Sequence, residues 1–198
     1  MKFFSKDFEN LIEELSNLPG VGNKSAFRLA FHLVNGKKEN AYNLSNAIKK
    51  ACDNVKHCKI CNTLTDQDIC PICKDNNRDH DIIMVVENER DMYAYENVGE
   101  YKGVYQVLGG SISPMLCIGP KDLKIDDLIN RTNQNTKEVI IATSSTIEGE
   151  TTANYIIDLL KKRNIKVSRI ASGVPVGGDI ENIDEITLQR AYTGRVVV

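Results

Sequence analysis

The chain has 198 residues, 41% of them hydrophobic and 26% charged, with a formal net charge of −2. That is enough apolar material for a buried core, so the chain need not be disordered, and no apolar run approaches the roughly 18 to 20 residues that cross a bilayer. The near-zero total says nothing by itself about nucleic acid, but its distribution is uneven: residues 1–57 hold nine Lys/Arg against six Asp/Glu, leaving −5 for the rest. The first residues, from Met1 to Asp7, lack the long apolar stretch of a signal peptide. A soluble, cytoplasmic protein with no membrane partner is expected.

In chain order, Phe4, Phe8, Leu11, Ile12 and Leu15 recur at the spacing of one helical face, and Leu18-Pro19-Gly20-Val21-Gly22 stops that helix and turns the chain. A second helix is expected to start with Asn23 as N-cap, to turn Ala26, Leu29, Ala30 and Leu33 inward, and to end near Asn35-Gly36. A third, over about 39–55, keeps Leu44, Ile48, Ala51 and Val55 on one side. From residue 81 the period changes. Ile82 to Val86 and Val139 to Ala142 are short continuous apolar runs, the mark of strands covered on both faces. Helix-like stretches at about 88–97 and 149–163 and a further strand at 166–170 complete an alternating pattern, which predicts a mostly parallel α/β sheet. The glycine-rich segments at 108–111 and 174–178 read as loops on the sheet's rim. The tail, Arg195-Val196-Val197-Val198, reads as a strand in need of a partner.

The six cysteines carry the sharpest signal. Cys58-Lys59-Ile60-Cys61 and Cys70-Pro71-Ile72-Cys73 form two CxxC pairs eight residues apart. Each pair can bend as a tight knuckle, and together the four thiolates close a tetrahedral shell around Zn2+, with no open position for catalysis. One structural zinc per chain is expected. Cys52 and Cys117 have no paired spacing and read as ordinary small residues. Asp66-Gln67-Asp68 lies in the loop between the pairs and reads as a solvated turn.

The second signal is the turn between the first two helices. Gly20 and Gly22 let the backbone bend so that the N–H groups opening the next helix face outward, toward a phosphate. Lys24 and Arg28 stand four residues apart on one face of that helix and can each neutralise a phosphate. This is the helix-hairpin-helix pattern of sequence-independent DNA binding. It is not a nucleotide-binding P-loop, because Asn23 stands where that motif needs glycine and a helix precedes it instead of a strand.

The third constellation is acidic. Glu87 follows the first apolar run, and Glu148 follows the second through Thr143-Ser144-Ser145-Thr146-Ile147. Groups beyond the carboxyl ends of strands converge on the crevice of an open α/β sheet, where two carboxylates can hold magnesium. No DxD follows a later strand to complete such a site, so a docking surface is favoured over a catalytic centre.

Taken in order, these features resemble the RecR family of bacterial recombination mediators. The resemblance covers essentially the whole chain. Besides the hairpin and the cysteines it rests on Gly99-Glu100-Tyr101, Val107-Leu108-Gly109-Gly110 with Ser113-Pro114, Ile147-Glu148-Gly149-Glu150-Thr151, and Gly173-Val174-Pro175-Val176-Gly177-Gly178. Two departures stand out: Ser144-Ser145 occupies a loop that usually holds Asn-Pro, and Cys117 stands where glycine is common. The resemblance implies a Toprim domain without established catalysis, and assembly through N- and C-terminal contacts into a dimer or tetrameric ring able to encircle DNA. It also implies work with RecO and RecF in loading RecA onto single-stranded DNA at gaps and damage. On its terms Gly20, Gly22, Lys24 and Arg28 contact DNA, and Glu87 and Glu148 dock partners.

The expected organisation is therefore a helix-hairpin-helix region at 1–56, a four-cysteine zinc module at 57–80, a Toprim-type, mostly parallel α/β domain at 81–175, and a C-terminal helix and strand for oligomer contacts at 176–198. The expected function is a non-enzymatic, sequence-independent DNA-binding scaffold in repair. The alternative is a magnesium-dependent Toprim nuclease or primase-like enzyme using Glu87 and Glu148.

Overall fold

The computed structural model describes residues 4–196, and the chain divides into two compact units after Val55. The first unit is three helices: α1 (Lys6–Ser16), α2 (Asn23–Asn35) and α3 (Lys38–Asn54). The Ser5 hydroxyl accepts the Phe8 N–H and caps α1, with Asp7 and Glu9 in the first turn complementing the helix dipole. Ala26 and Ala30 are fully buried on α2, and Phe4, Phe8 and Phe27 meet with ring centroids 5.4 to 5.9 Å apart.

Two expectations need correcting in this unit. Gly22, in extended conformation, is the N-cap of α2 and Asn23 is the first helical residue, with no side-chain cap; the bend at Gly20 already completes the turn, so the helix starts directly after Gly22. Leu29 does not turn inward but is exposed, as are Leu44, Ile48 and Val55 along α3 and its end. Three short helices have more apolar faces than one small unit can bury.

The second unit opens with a zinc-module hairpin, β1 (Lys56–His57) antiparallel to β2 (Leu64–Thr65), and the single-turn α4 (Pro71–Lys74). A four-stranded, wholly parallel sheet follows in the order β4-β3-β5-β6. Its strands are β3 (Asp79–Val86), β4 (Gly103–Val107), β5 (Glu138–Ile141) and β6 (Val167–Arg169), interleaved with α5 (Glu89–Val98), α6 (Ile125–Arg131) and α7 (Ile147–Lys161). Both faces are covered. Ile83, Val85, Val104 and Val139 pack with Leu128 of α6 and Ile156 and Leu160 of α7. On the other face Met84, Val86, Tyr105 and Val107 meet Met92 and Tyr95 of α5. The continuous apolar run of β3 is thus explained by burial on two sides.

β4 was hidden in the sequence because Gly103 and Gln106 interrupt its apolar pattern, yet all five of its residues are buried. Gly103 is required there, since a Cβ would lie 2.3 Å from Tyr101 Oη and 2.6 Å from the Ile82 carbonyl oxygen. At the C-terminus a helix is present, α8 (Glu185–Thr193), capped by Asp184; of the expected terminal strand, Arg195 and Val196 pair with no strand of this chain, and Val197 and Val198 lie outside the described residues. No described helix is long and apolar enough to cross a membrane.

Candidate metal centre and nucleic-acid interface

Local backbone geometry builds the cysteine cluster. The first knuckle closes with Asn62 in the left-handed region (φ 65) and the Asn62 N–H donating to the Cys58 carbonyl at 3.0 Å. In the second, Cys70 is the N-cap of α4 and its Sγ accepts the Cys73 N–H at 3.4 Å, while Cys58 Sγ accepts the Cys70 N–H at 3.3 Å. The four Sγ atoms all lie within 4.8 Å of one another, and those of Cys61 and Cys70 are 3.6 Å apart. Zinc–sulfur bonds of about 2.3 Å in a tetrahedron place sulfurs about 3.8 Å apart, so the cluster has the size zinc requires. Hydrogen bonding to Cys70 and Cys73, together with burial, pushes the Cys61 thiol up, and a divalent cation removes that frustration by taking all four as thiolates. Among the described residues these cysteines are the one set of three or more ligating side chains that converge.

The centre is tied to the sheet. The Val107 N–H donates to the Cys61 carbonyl at 2.8 Å, and Asn62 Nδ2 donates to the Val107 carbonyl at 3.1 Å. The zinc loop therefore satisfies the backbone groups that Val107 presents on the open edge of β4. Ile72, between Cys70 and Cys73, packs against both sheet faces and the cysteines. Outside, Lys56 and Lys59 both bind Asp68, which holds that carboxyl down at about 2.

In the helical unit, Gly20 adopts φ +80 and the Val21 N–H closes the turn on the Leu18 carbonyl at 3.0 Å. With glycine as N-cap, no side chain caps the opening turn of α2. Lys24 and Arg28 are both exposed one turn apart, as their spacing predicts.

The acidic pair is placed at the carboxyl ends of the central strands. Glu87 follows the end of β3, and its Oε1 accepts both the backbone N–H and the hydroxyl of Ser144, each at 2.8 Å. Glu148 follows that loop and lies in the first turn of α7, after the Thr146 cap. Gly149 packs so tightly beneath this loop that a Cβ would come within 2.3 Å of the Ser144 carbonyl oxygen and 2.8 Å of Glu87 Oε1. The Gly109 N–H donates to the Glu87 carbonyl at 2.9 Å, which links the glycine-rich loop to the same corner.

Sequence reasoning missed two charged clusters. Glu96 of α5 accepts from Arg78 (2.6 and 2.9 Å) and from the Tyr105 hydroxyl (2.6 Å). Glu150 of α7 takes Arg169 of β6 on one oxygen and Arg190 of α8 on the other, holding the C-terminal helix to the sheet. The partners in these clusters are far apart along the chain, so no local pattern announces either one.

Comparison with known proteins covers nearly all of the chain. Four family profiles match in order: the RecR helix-hairpin-helix over residues 8–52, the RecR zinc finger domain with four cysteines over 55–75, the Toprim domain over 81–171 and the RecR C-terminal region over 173–196. Two curated relatives from different strains of Clostridium perfringens, each named Recombination protein RecR, are 48% identical over 198 residues, covering 100% of both chains. The four cysteines thus form a structural zinc site, as their geometry requires.

Proposed function

This chain belongs to the RecR family of recombination proteins, and we propose that within DNA repair it is a non-enzymatic scaffold that grips the phosphate backbone without reading bases. The observation that carries this is the α1–α2 turn: a positive-φ Gly20, an uncapped α2 N-terminus, and exposed Lys24 and Arg28 on one helical face. In this reading the chain works as four modules, with boundaries at 56, 80 and 175. Copies assemble as a dimer or tetrameric ring, which covers the exposed apolar faces of α2 and α3 and multiplies weak contacts through multivalency. Glu87 and Glu148 mark the surface that docks RecO and RecF, and the assembly helps load RecA on single-stranded DNA at gaps and damage.

Binding to gapped DNA, read by fluorescence anisotropy across a salt series, tests the grip. Lys24→Glu with Arg28→Glu should abolish binding with the helical content unchanged, and the parent protein's affinity should fall linearly in log salt regardless of base sequence. Unchanged binding in the double variant would remove the hairpin as the contact. The enzyme alternative is disfavoured because Glu87 Oε1 is already engaged by Ser144; magnesium-dependent cleavage or synthesis that disappears in Glu87→Gln would reinstate it.

A further inference from the structure

We propose that Arg131 is the counter-charge of the zinc centre, a cation supplied by α6 that stabilises the four-thiolate shell from outside it. Four thiolates around one divalent ion leave two negative charges in excess. All four cysteines are at most 7% exposed, so water does little to solvate that charge. Backbone N–H groups meet part of it, from Cys70 to Cys58 Sγ and from Cys73 to Cys70 Sγ.

The neighbouring cations are engaged elsewhere. Lys56 and Lys59 bind Asp68, Lys74 donates to Gln67, and Arg78 pairs with Glu96. Arg131 has the complementary deficit. It is half-buried and its guanidinium donates to the Tyr105 carbonyl at 2.7 Å, a neutral acceptor, and among the described residues no carboxylate pairs with it. Tyr105 and Val107 present their backbone groups on the same open edge of β4, and Val107 is the residue that bonds the Cys61 carbonyl. Arg131 is therefore anchored on that edge two residues along β4 from the one that the zinc loop bonds. An unpaired cation and an anionic centre short of cations share one sheet edge, and a weakly hydrated guanidinium suits such a half-buried place.

The test is zinc retention in the full-length, zinc-loaded protein against a colorimetric chelator, with zinc per chain measured before and after. Arg131→Met should weaken retention about 10- to 100-fold, the usual effect of removing an outer-shell partner. Arg131→Lys keeps the charge while giving up the planar fork and should stay close to the parent. Leu128→Ala, a core truncation in the same helix, should lower the melting temperature yet keep zinc at temperatures where it is folded. Parent-like retention in Arg131→Met would overturn the proposal. So would equal loss in Arg131→Lys, which would assign the effect to the Tyr105 hydrogen bond, or equal loss in Leu128→Ala, which would assign it to loosening of α6. Should Arg131→Met fail to fold, Arg131→Gln, which keeps a donor for the Tyr105 carbonyl, takes its place under the same outcomes.

Discussion

Glu96 shows how one side chain secures an edge that the sheet leaves open. Burial opposes its ionisation, but hydrogen bonds from Arg78 and Tyr105 outweigh that and hold its pKa below the ordinary carboxylate value. The Tyr105 hydroxyl is shifted the opposite way, first by burial and then by the bond it donates to Glu96. A carboxyl whose folded pKa is depressed stabilises the fold above its unfolded pKa, and loses that contribution as pH falls through the folded value. Glu96→Gln should therefore cost about 2 kcal/mol at pH 7, with the gap between variant and parent closing below about pH 4. Urea midpoints measured from neutral to acid pH would show it, and a gap that stays constant with pH would mean the pair contributes through packing alone. Single residues were unequally legible. The four cysteines declared themselves by spacing, whereas Glu96, Glu150 and Arg131 look like ordinary surface charges until the fold brings distant partners to them.

Among the elements, those with a strong period were legible and those defined by their neighbours were not. α1 to α3, β3 and β5 follow from apolar spacing, while their exact ends do not. β4 does not follow from it at all, because burial of Gly103 and Gln106 is decided by Tyr101 and by the segment entering α6. α7 begins at Ile147, earlier than the pattern suggests, because Thr146 caps it by accepting the Gly149 N–H at 3.1 Å. That cap places Gly149 against Ser144 and Glu87. Gly149→Ala should cost about 1 to 3 kcal/mol through overpacking and should weaken the proposed docking at Glu87, since the Ser144 loop must shift. The first effect is read by thermal unfolding and the second by partner binding in the same protein. A neutral stability change would show that the loop yields freely.

At the level of the whole molecule, the two units differ in how far each satisfies itself. The α/β unit buries continuous clusters on both sheet faces, while on the three helices Ala26 and Ala30 are the buried residues among those described and Phe31, Val34 and Ile48 stand more than half exposed. Such a unit gains from a covering partner, and stability that comes from association rises with concentration. If copies assemble as proposed, amide exchange in α1–α3 should slow as protein concentration is raised while exchange in β3 and β5 stays unchanged. Concentration-independent exchange in the helices would count against assembly through them.

The uneven charge, the four-thiolate centre, the glycine turn with its two basic residues and the alternating α/β pattern were determined by the sequence alone, because each depends on residue types at short, regular spacing. Only the tertiary structure decided that the zinc loop bonds Val107 on the β4 edge, that Glu87 is held by Ser144, and that Arg131 and Glu150 have long-range roles. Those depend on which backbone edges are left unpaired and which charges are left without water, and both are settled only when distant segments come together.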